Sequence, residues 1–284
     1  MFSDMTKRFI APFLFFLTLA VLPSLSLASN HQDSVYTVRT VVLDAGHGGD
    51  KPGTRGAKSL EKDVVLQVVM KLGKAIEQEI PGVKVLYTRT TDVDVDLYKR
   101  IEFANEHRAD LFISVHCNAT PDRPVRRRNS KGKYYTVRVQ DKTVRGTETF
   151  VSGFGRLGEQ DAAIRENADI LLEDNYEENY QGFDPNDPAS YIVFSLMKNQ
   201  YRDQSIRLAS YMQDEYVKLG RVDRGVQEQS LAVLARAGMP AVLTEIGFLS
   251  NPNEETYMMS EKGQAEIVNN LVNAIKSYKR HVER

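Results

Sequence analysis

Apolar residues recur along this chain at two spacings, and the alternation between them sets out its elements. "TVRTVVLDAG", ending at Gly46, is dense in Val and reads as a buried strand. Behind it, "SLEKDVVLQVVMKLGKAIEQEI" places apolar side chains at 64, 65, 68, 69, 72, 75 and 76, the spacing of one helix face. Ser59 is its predicted N-cap, and Pro81 with Gly82 its stop. "VKVLYTR" predicts a strand, "LYKRIEFANEH" a helix, "ADLFISVHCN" an apolar strand and "RGTETFVSG" another. "SIRLASYMQDEYVKLG" is an amphipathic helix closed by Gly220. "LAVLARAGMPAVLTEIGFLSN" reads as strand, turn and strand, and "GQAEIVNNLVNAIKSYKRHV" as the closing helix. Strands alternating with helices of this length predict an α/β fold over residues 36–284: a mostly parallel twisted sheet flanked by helices on both faces.

Two stretches break the alternation. Residues 123–145 carry nine Lys/Arg against one Asp around a β-like "KYYTVRV", and read as a basic hairpin. Residues 157–204 form an acid-rich insertion whose apolar residues (Ala162, Ala163, Ile170, Leu171) keep helical spacing, which predicts an ordered helical segment. Connections this long in a compact domain are usually functional or disordered.

The first residues are a different material. Lys7 and Arg8 precede a 14-residue apolar stretch, then Pro23 and the small-residue ending Ser26-Leu27-Ala28. This is the pattern of a secretory signal peptide over residues 1–28, and the stretch is short for a bilayer span. A retained N-terminal anchor is the alternative. Export places the protein in the periplasm or at the cell envelope. A single cysteine, Cys117, allows no intramolecular disulfide, so stability comes from the core or from a metal. The net charge of −1 gives no global bias toward nucleic acid or a membrane surface. The glycines of "GHGGDKPG" lack both the GK[ST] and the GxGxxG pattern, which leaves no support for a nucleotide site.

Ligands of open α/β sheets bind outside the carboxyl ends of the strands. Three polar residues fall at such ends: His47 after "VVLDAG", His116 after "LFISV" and Glu245 after "AVLT". Glu61 joins them from the first turn of the following helix. Zinc in hydrolases commonly takes three protein ligands from His and Asp/Glu and leaves a fourth position for water. His47, Glu61 and His116 fit that inventory, and Glu245 is then the free carboxylate that accepts a proton. Each has a plainer reading. His47 suits a glycine turn, and Glu61 suits the positive end of a helix macrodipole. His116 and Glu245 are harder to dismiss, because a polar group closing an apolar strand costs free energy unless paired or used. Cys117 points to the opposite face by strand alternation and is read as packing.

Taken in order, "VVLDAGHGG", "LEKD", "ADLFISVHCNA" and "TEIGFLSN" resemble the zinc-dependent N-acetylmuramoyl-L-alanine amidases, the cell-wall amidases with AmiC-like catalytic domains. Many relatives have Pro where Ala45 stands; that exchange removes no ligand. The resemblance implies one Zn²⁺ per chain on His47, Glu61 and His116, with Glu245 as the catalytic glutamate. It also implies Arg100, Asn105, Ser114 and Asn118 as supports of the site. The implied reaction is hydrolysis of the amide joining N-acetylmuramic acid to L-alanine in peptidoglycan, for wall remodelling or daughter-cell separation. Division amidases of this kind carry an inserted helical segment that blocks the zinc cleft until a protein activator displaces it, and residues 157–204 occupy the corresponding place. Glu166, then Glu173 and Glu177, are the candidate autoinhibitory carboxylates; a solvated acidic surface insertion is the alternative. The basic stretch reads as a solvated hairpin, a contact for anionic wall material or a partner for the acidic insertion. Competing functions are a zinc carboxypeptidase or endopeptidase of the wall, and a catalytically dead peptidoglycan-binding regulator.

Overall fold

A computed structural model describes residues 36–153, 160–187, 190–191 and 200–284. The predicted signal peptide, residues 1–28, lies outside the described residues, as do 157–159, 188–189 and 192–199 of the insertion. The elements run in the order β1 (Thr40–Ala45), α1 (Glu61–Glu79), β2 (Lys84–Tyr87), α2 (Leu97–Glu106), β3 (Leu111–Asn118), β4 (Arg123–Arg128), β5 (Tyr134–Val139) and β6 (Thr147–Ser152). Then come α3 (Asp161–Asn167), a 3₁₀ turn Ala168–Leu172, α4 (Tyr176–Asn179), α5 (Arg202–Lys218) and β7 (Asp223–Gln229). A second 3₁₀ turn Ala232–Leu234, β8 (Ala241–Phe248), α6 (Pro252–Met259) and α7 (Glu261–Val282) close the chain.

Six strands form one sheet in the order β2-β1-β3-β8-β6-β7. The first four run parallel. β6 turns against β8 and carries β7 parallel to itself, so the last two strands oppose the rest. The fold is thus a mixed, mostly parallel sheet flanked by helices. Alternate residues of the buried strands feed two cores. On one face Val41, Leu43, Ile113, Val115 and Val242 pack beneath α1, α5 and α7. On the other, Val42, Phe112, Phe150 and Leu243 meet α2, the second 3₁₀ turn and the insertion. The insertion therefore supplies core: Ala162, Ala163, Ile170, Tyr180 and Phe183 are buried there, whereas Leu171 is 40% exposed.

Two expectations need correction. Ser59 is not the cap of α1; Leu60 holds that position, and the Ser59 hydroxyl donates to Glu255 instead. The helix still ends at Glu79, ahead of Pro81 and Gly82. "LAVL" is a 3₁₀ turn rather than a strand, because a short apolar run buried on every side has no period to distinguish the two. The strand preceding it is β7, "DRGVQEQ", whose polar composition hides it. Asn251 caps α6 by accepting from the N–H groups of Asn253 and Glu254, a start signal that lay within "LSNPNEE". Among the described residues, no helix is long and apolar enough to cross a membrane.

Candidate metal centre

The register of the sheet brings the strand-end residues together. Ser114 is level with Asp44, and His116 with Glu245. Glu148 of β6 stands opposite Glu245 from the other side. His47 follows β1 in a glycine turn and adopts φ 58°, a left-handed conformation that a bulky residue holds only when its surroundings enforce it. Two buried arginines do so. Arg100 donates to the carbonyls of Ala45 and His47 at 2.8 Å each, and Arg89 to those of Ala45 and Gly46 at 2.8 Å. Gly46 makes room for the second histidine: a Cβ there would meet the His116 ring at 2.4 Å.

Asp44 orients this scaffold from within β1. It pairs with Arg100 at 2.9 Å and accepts from the hydroxyls of Ser114 at 2.6 Å and Thr88 at 2.5 Å. Burial pushes its carboxyl up, but Arg100 and the two hydroxyls hold it below the ordinary value.

Glu61, the first residue of α1, is fully buried. Its oxygens accept from the N–H groups of Thr54 at 2.7 Å and Cys117 at 2.9 Å. They also lie 3.2 Å from His47 Nε2 and 3.0 Å from His116 Nδ1. Despite its burial, the two imidazoles hold its carboxyl well below the usual range. Cys117 faces away, its Sγ 3.8 Å from the Met258 sulfur in the core.

The fourth member comes from the insertion. Oε2 of Glu166, in α3, lies 3.2 Å from His47 Nε2 and 2.9 Å from His116 Nδ1. Its neighbour Arg165 donates to Glu166 Oε1 at 2.8 Å and to Glu245 Oε1 at 2.9 Å. Asp169 accepts from, or shares a proton with, His47 Nδ1 at 2.7 Å. Burial, with the charge of Glu166 and Glu61, pushes the Glu245 carboxyl well up against the pull of Arg165. Burial works against the imidazolium form of His116, yet Glu166 and Glu61 push it up to about 10.

His47, Glu61, His116 and Glu166 each offer a ligand atom, all within 4.8 Å of one another. His47 Nε2, His116 Nδ1, Glu166 Oε2 and Glu245 Oε2 are buried without an aligned hydrogen-bond partner. Buried polar atoms left this way are costly, and two imidazole nitrogens with two carboxylates are a donor set that answers a divalent cation. The group could therefore bind a metal. The second nitrogen of His47 held by a carboxylate is also the usual arrangement for a metal-bound imidazole.

The remaining predicted residues divide. Arg100 and Ser114 support the site through Asp44, and the Asn118 amide donates to Glu148 beside Glu245. Asn105 does not support it. Its amide bonds the Arg236 carbonyl and the Gly238 N–H, at the edge where β3 and β8 begin. Glu173 does not reach the centre; it accepts from Leu97 N at 2.8 Å and from the Tyr180 hydroxyl at 2.6 Å, with Lys51 at 3.4 Å. Glu177 is exposed. Arg165 and Asp169 were missed, since nothing in an acid-rich helix marks which turn faces a histidine. Asp44 had a signal: a carboxylate inside "VVLDAG" has to be paired.

The centre is covered in this conformation. His47, His116 and Glu166 are at most 5% exposed and Glu245 is fully buried. Two clefts flank Arg165 instead: one of about 560 Å³ beside Thr54, Thr120 and Ile164, and one of about 250 Å³ beside Asn118, Glu148 and Arg224. The insertion is stitched down by Asn167, which donates to the Ser230 carbonyl at 2.8 Å and accepts from Ala232 N at 2.9 Å.

Residues 41–277 match the family model described as N-acetylmuramoyl-L-alanine amidase. The amidase AmiC of Escherichia coli O6:H1 is 27% identical over 245 residues, covering 84% of this chain and 52% of that protein, so the chain spans about half the length of that relative. AmiA of Salmonella typhimurium is 27% identical over 242 residues, covering 84% of this chain and 76% of that one. The crystal structure of the N-acetylmuramoyl-L-alanine amidase from Clostridium difficile 630 is similar with a TM-score of 0.59 at 26% identity, covering 85% of this chain and 97% of that chain.

Proposed function

The chain belongs to the N-acetylmuramoyl-L-alanine amidase family, and from that premise we propose that it hydrolyses the amide between the lactyl group of N-acetylmuramic acid and L-alanine in peptidoglycan, using zinc held by His47, Glu61 and His116. The observation that carries this reading is the convergence of His47, Glu61 and His116 on one point, with His47 Nε2 and His116 Nδ1 buried and without an aligned hydrogen-bond partner. When bound, zinc supplies a Lewis acid for the scissile carbonyl and lowers the pKa of water toward about 7. His47 and His116 would then be neutral imidazoles, offering Nε2 and Nδ1, and Asp169 holds the His47 Nδ1 proton only while the insertion is in place. Glu245, at the end of β8 and released from Arg165, takes the proton of the attacking water as a carboxylate and delivers it to the leaving amine of L-alanine.

The conformation described is the resting one. Glu166, its Oε2 beside both imidazoles, would compete with water for a zinc held by His47, Glu61 and His116, and Arg165 ties up the general base. A protein activator displaces α3 and the segment behind it. The substrate lies outside the cytoplasm, which accords with an exported chain acting in wall remodelling or daughter-cell separation.

Because the insertion contributes to the second core, its deletion would expose Phe150 and Leu243; a point substitution is the cleaner probe. The experiment is mass spectrometry of the soluble products released from purified peptidoglycan by zinc-loaded protein carrying Glu166→Ala. Free stem peptides beginning with L-alanine are expected. Release of terminal D-alanine, or cleavage of cross-links, would assign a carboxypeptidase or endopeptidase. A folded, zinc-bound protein that releases nothing would favour the binding-regulator reading.

A further inference from the structure

The β4–β5 hairpin contributes no residue to either core and stands as its own two-stranded sheet. Such a hairpin is marginally stable in water by itself, yet this one is well built. Six rungs pair antiparallel, from Arg123 with Val139 to Arg128 with Tyr134. Asn129 Oδ1 accepts from the N–H groups of Lys131 and Lys133, and Gly132 takes φ 79° to close the turn.

Charge and aromatic character are graded along its length. At the base, Arg123 and Arg138 lie near Asp141 and Asp122, at 3.6 and 3.9 Å. At the tip, Arg126, Arg127, Lys131 and Lys133 have no ion pair among the described residues. The whole hairpin, 123–139, holds seven Arg/Lys and no acid, in a chain whose 37 basic and 38 acidic residues nearly cancel as a whole. The last two rungs set Arg127 beside Tyr135 and Arg128 beside Tyr134. The Arg126 guanidinium lies 4.5 Å from the centre of the Tyr134 ring. Both tyrosines are exposed, at 54% and 47%, and so is Val125.

Cations around exposed tyrosines at the free end of an arm match the interface of a bilayer. Aromatic rings sit there at headgroup level, while Arg and Lys reach phosphates from flexible stems. We propose that the tip of the β4–β5 hairpin docks the protein on bilayers containing anionic phospholipid. Arg127, Arg128, Lys131 and Lys133 meet the phosphates, and Tyr134 and Tyr135 enter the headgroup layer. A soluble polyanion without rings or acyl chains, such as polyphosphate, would use the cations but gain nothing from the exposed tyrosines. This inference does not rest on the amidase reading.

The test uses the chain without its first 28 residues, the form export would leave; every strand and both cores lie beyond that point. Co-sedimentation is measured with vesicles of phosphatidylcholine alone, and of phosphatidylcholine mixed with phosphatidylglycerol. Polyphosphate serves as a soluble anion without an acyl layer. Binding is expected to the mixed vesicles and not to phosphatidylcholine alone, more weakly to polyphosphate, and it should weaken with salt. Combining Arg127→Gln, Arg128→Gln, Lys131→Gln and Lys133→Gln should weaken it about a hundredfold or more, at roughly fivefold per cation. Tyr134→Ser with Tyr135→Ser should weaken vesicle binding while leaving polyphosphate affinity unchanged. Circular dichroism checks that each variant stays folded. Absence of binding to mixed vesicles, or a quadruple variant that binds like the parent, overturns the proposal. Equal affinity for polyphosphate with no effect of the tyrosine changes assigns the tip to an anionic polymer and also overturns it.

Discussion

Arg165 Nη2 donates to Glu245 Oε1 at 2.9 Å, while the next residue, Glu166, places Oε2 2.9 Å from His116 Nδ1. Two consecutive side chains of α3 thus reach two separate parts of the centre, so displacement of one helix turn frees both.

Glu166→Ala should raise the basal rate of stem-peptide release by tenfold or more, since each ~1.4 kcal/mol removed from the closed state changes the closed-to-open ratio tenfold. Initial rates on purified peptidoglycan, without any partner protein, check this. An unchanged rate in folded, zinc-loaded protein would count against Glu166 as the block.

Glu245→Gln should lower the turnover of the Glu166→Ala background by about 10²–10⁴-fold, the usual worth of a general acid–base group. Zinc content should stay at one per chain, because Glu245 pairs with Arg165 rather than belonging to the four-ligand group. Rates read alongside metal analysis separate the two roles.

Removal of zinc by a chelator should abolish activity and lower the thermal midpoint, with both restored by zinc. At free zinc about 1,000 times the dissociation constant, the stabilisation is about 4 kcal/mol. His116→Ala should lose the bound metal and the zinc-dependent rise in midpoint together.

Glu173→Ala should loosen the insertion without touching the centre. Its carboxylate accepts from Leu97 N and the Tyr180 hydroxyl, bonds of a charged group worth about 1.5–3 kcal/mol. Basal activity should rise, and limited proteolysis within residues 160–187 should become faster. Glu177→Ala, at an exposed position, should do neither.

Asp44→Asn should destabilise the fold near neutral pH by about 3–5 kcal/mol, because it leaves Arg100 buried without its counter-charge. The Asp44 carboxyl is held below the ordinary 3.8, so its contribution is present above that pH and is lost as pH falls through the folded-state value. Denaturant unfolding of parent and variant should therefore differ at pH 7 and converge in acid. A gap that persists at low pH would show that the loss is steric.

Much of the architecture was legible because burial imposes a period. The Val-rich strands and the apolar faces of α1, α5 and α7 announce themselves, as do polar residues placed where apolar strands end. β7 escaped because an edge strand with one neighbour needs little apolar surface; its burial is only partial until Gln229. The reversed direction of β6 and β7 escaped because residue patterns within a strand carry no sense of direction. Asn105 was misplaced, although it lies on α2 with Arg100, because that helix runs from the site edge to the opposite edge of the sheet.

By itself, the sequence determined which residue types stand at the strand ends: His47, His116 and Glu245, with Glu61 opening the helix behind. Chain order and strand length suffice for that, since a parallel strand delivers its last residues to one edge. Only the tertiary structure decided that Glu166, rather than Glu173 or Glu177, faces the histidines. It also decided that Arg165 and Asp169 join it there. That choice depends on how α3 is rotated, and the rotation is set by Ala162, Ala163 and Asn167 packing and bonding against the sheet and the Ser230 turn. These are contacts between segments about 65 residues apart, and no local pattern encodes them.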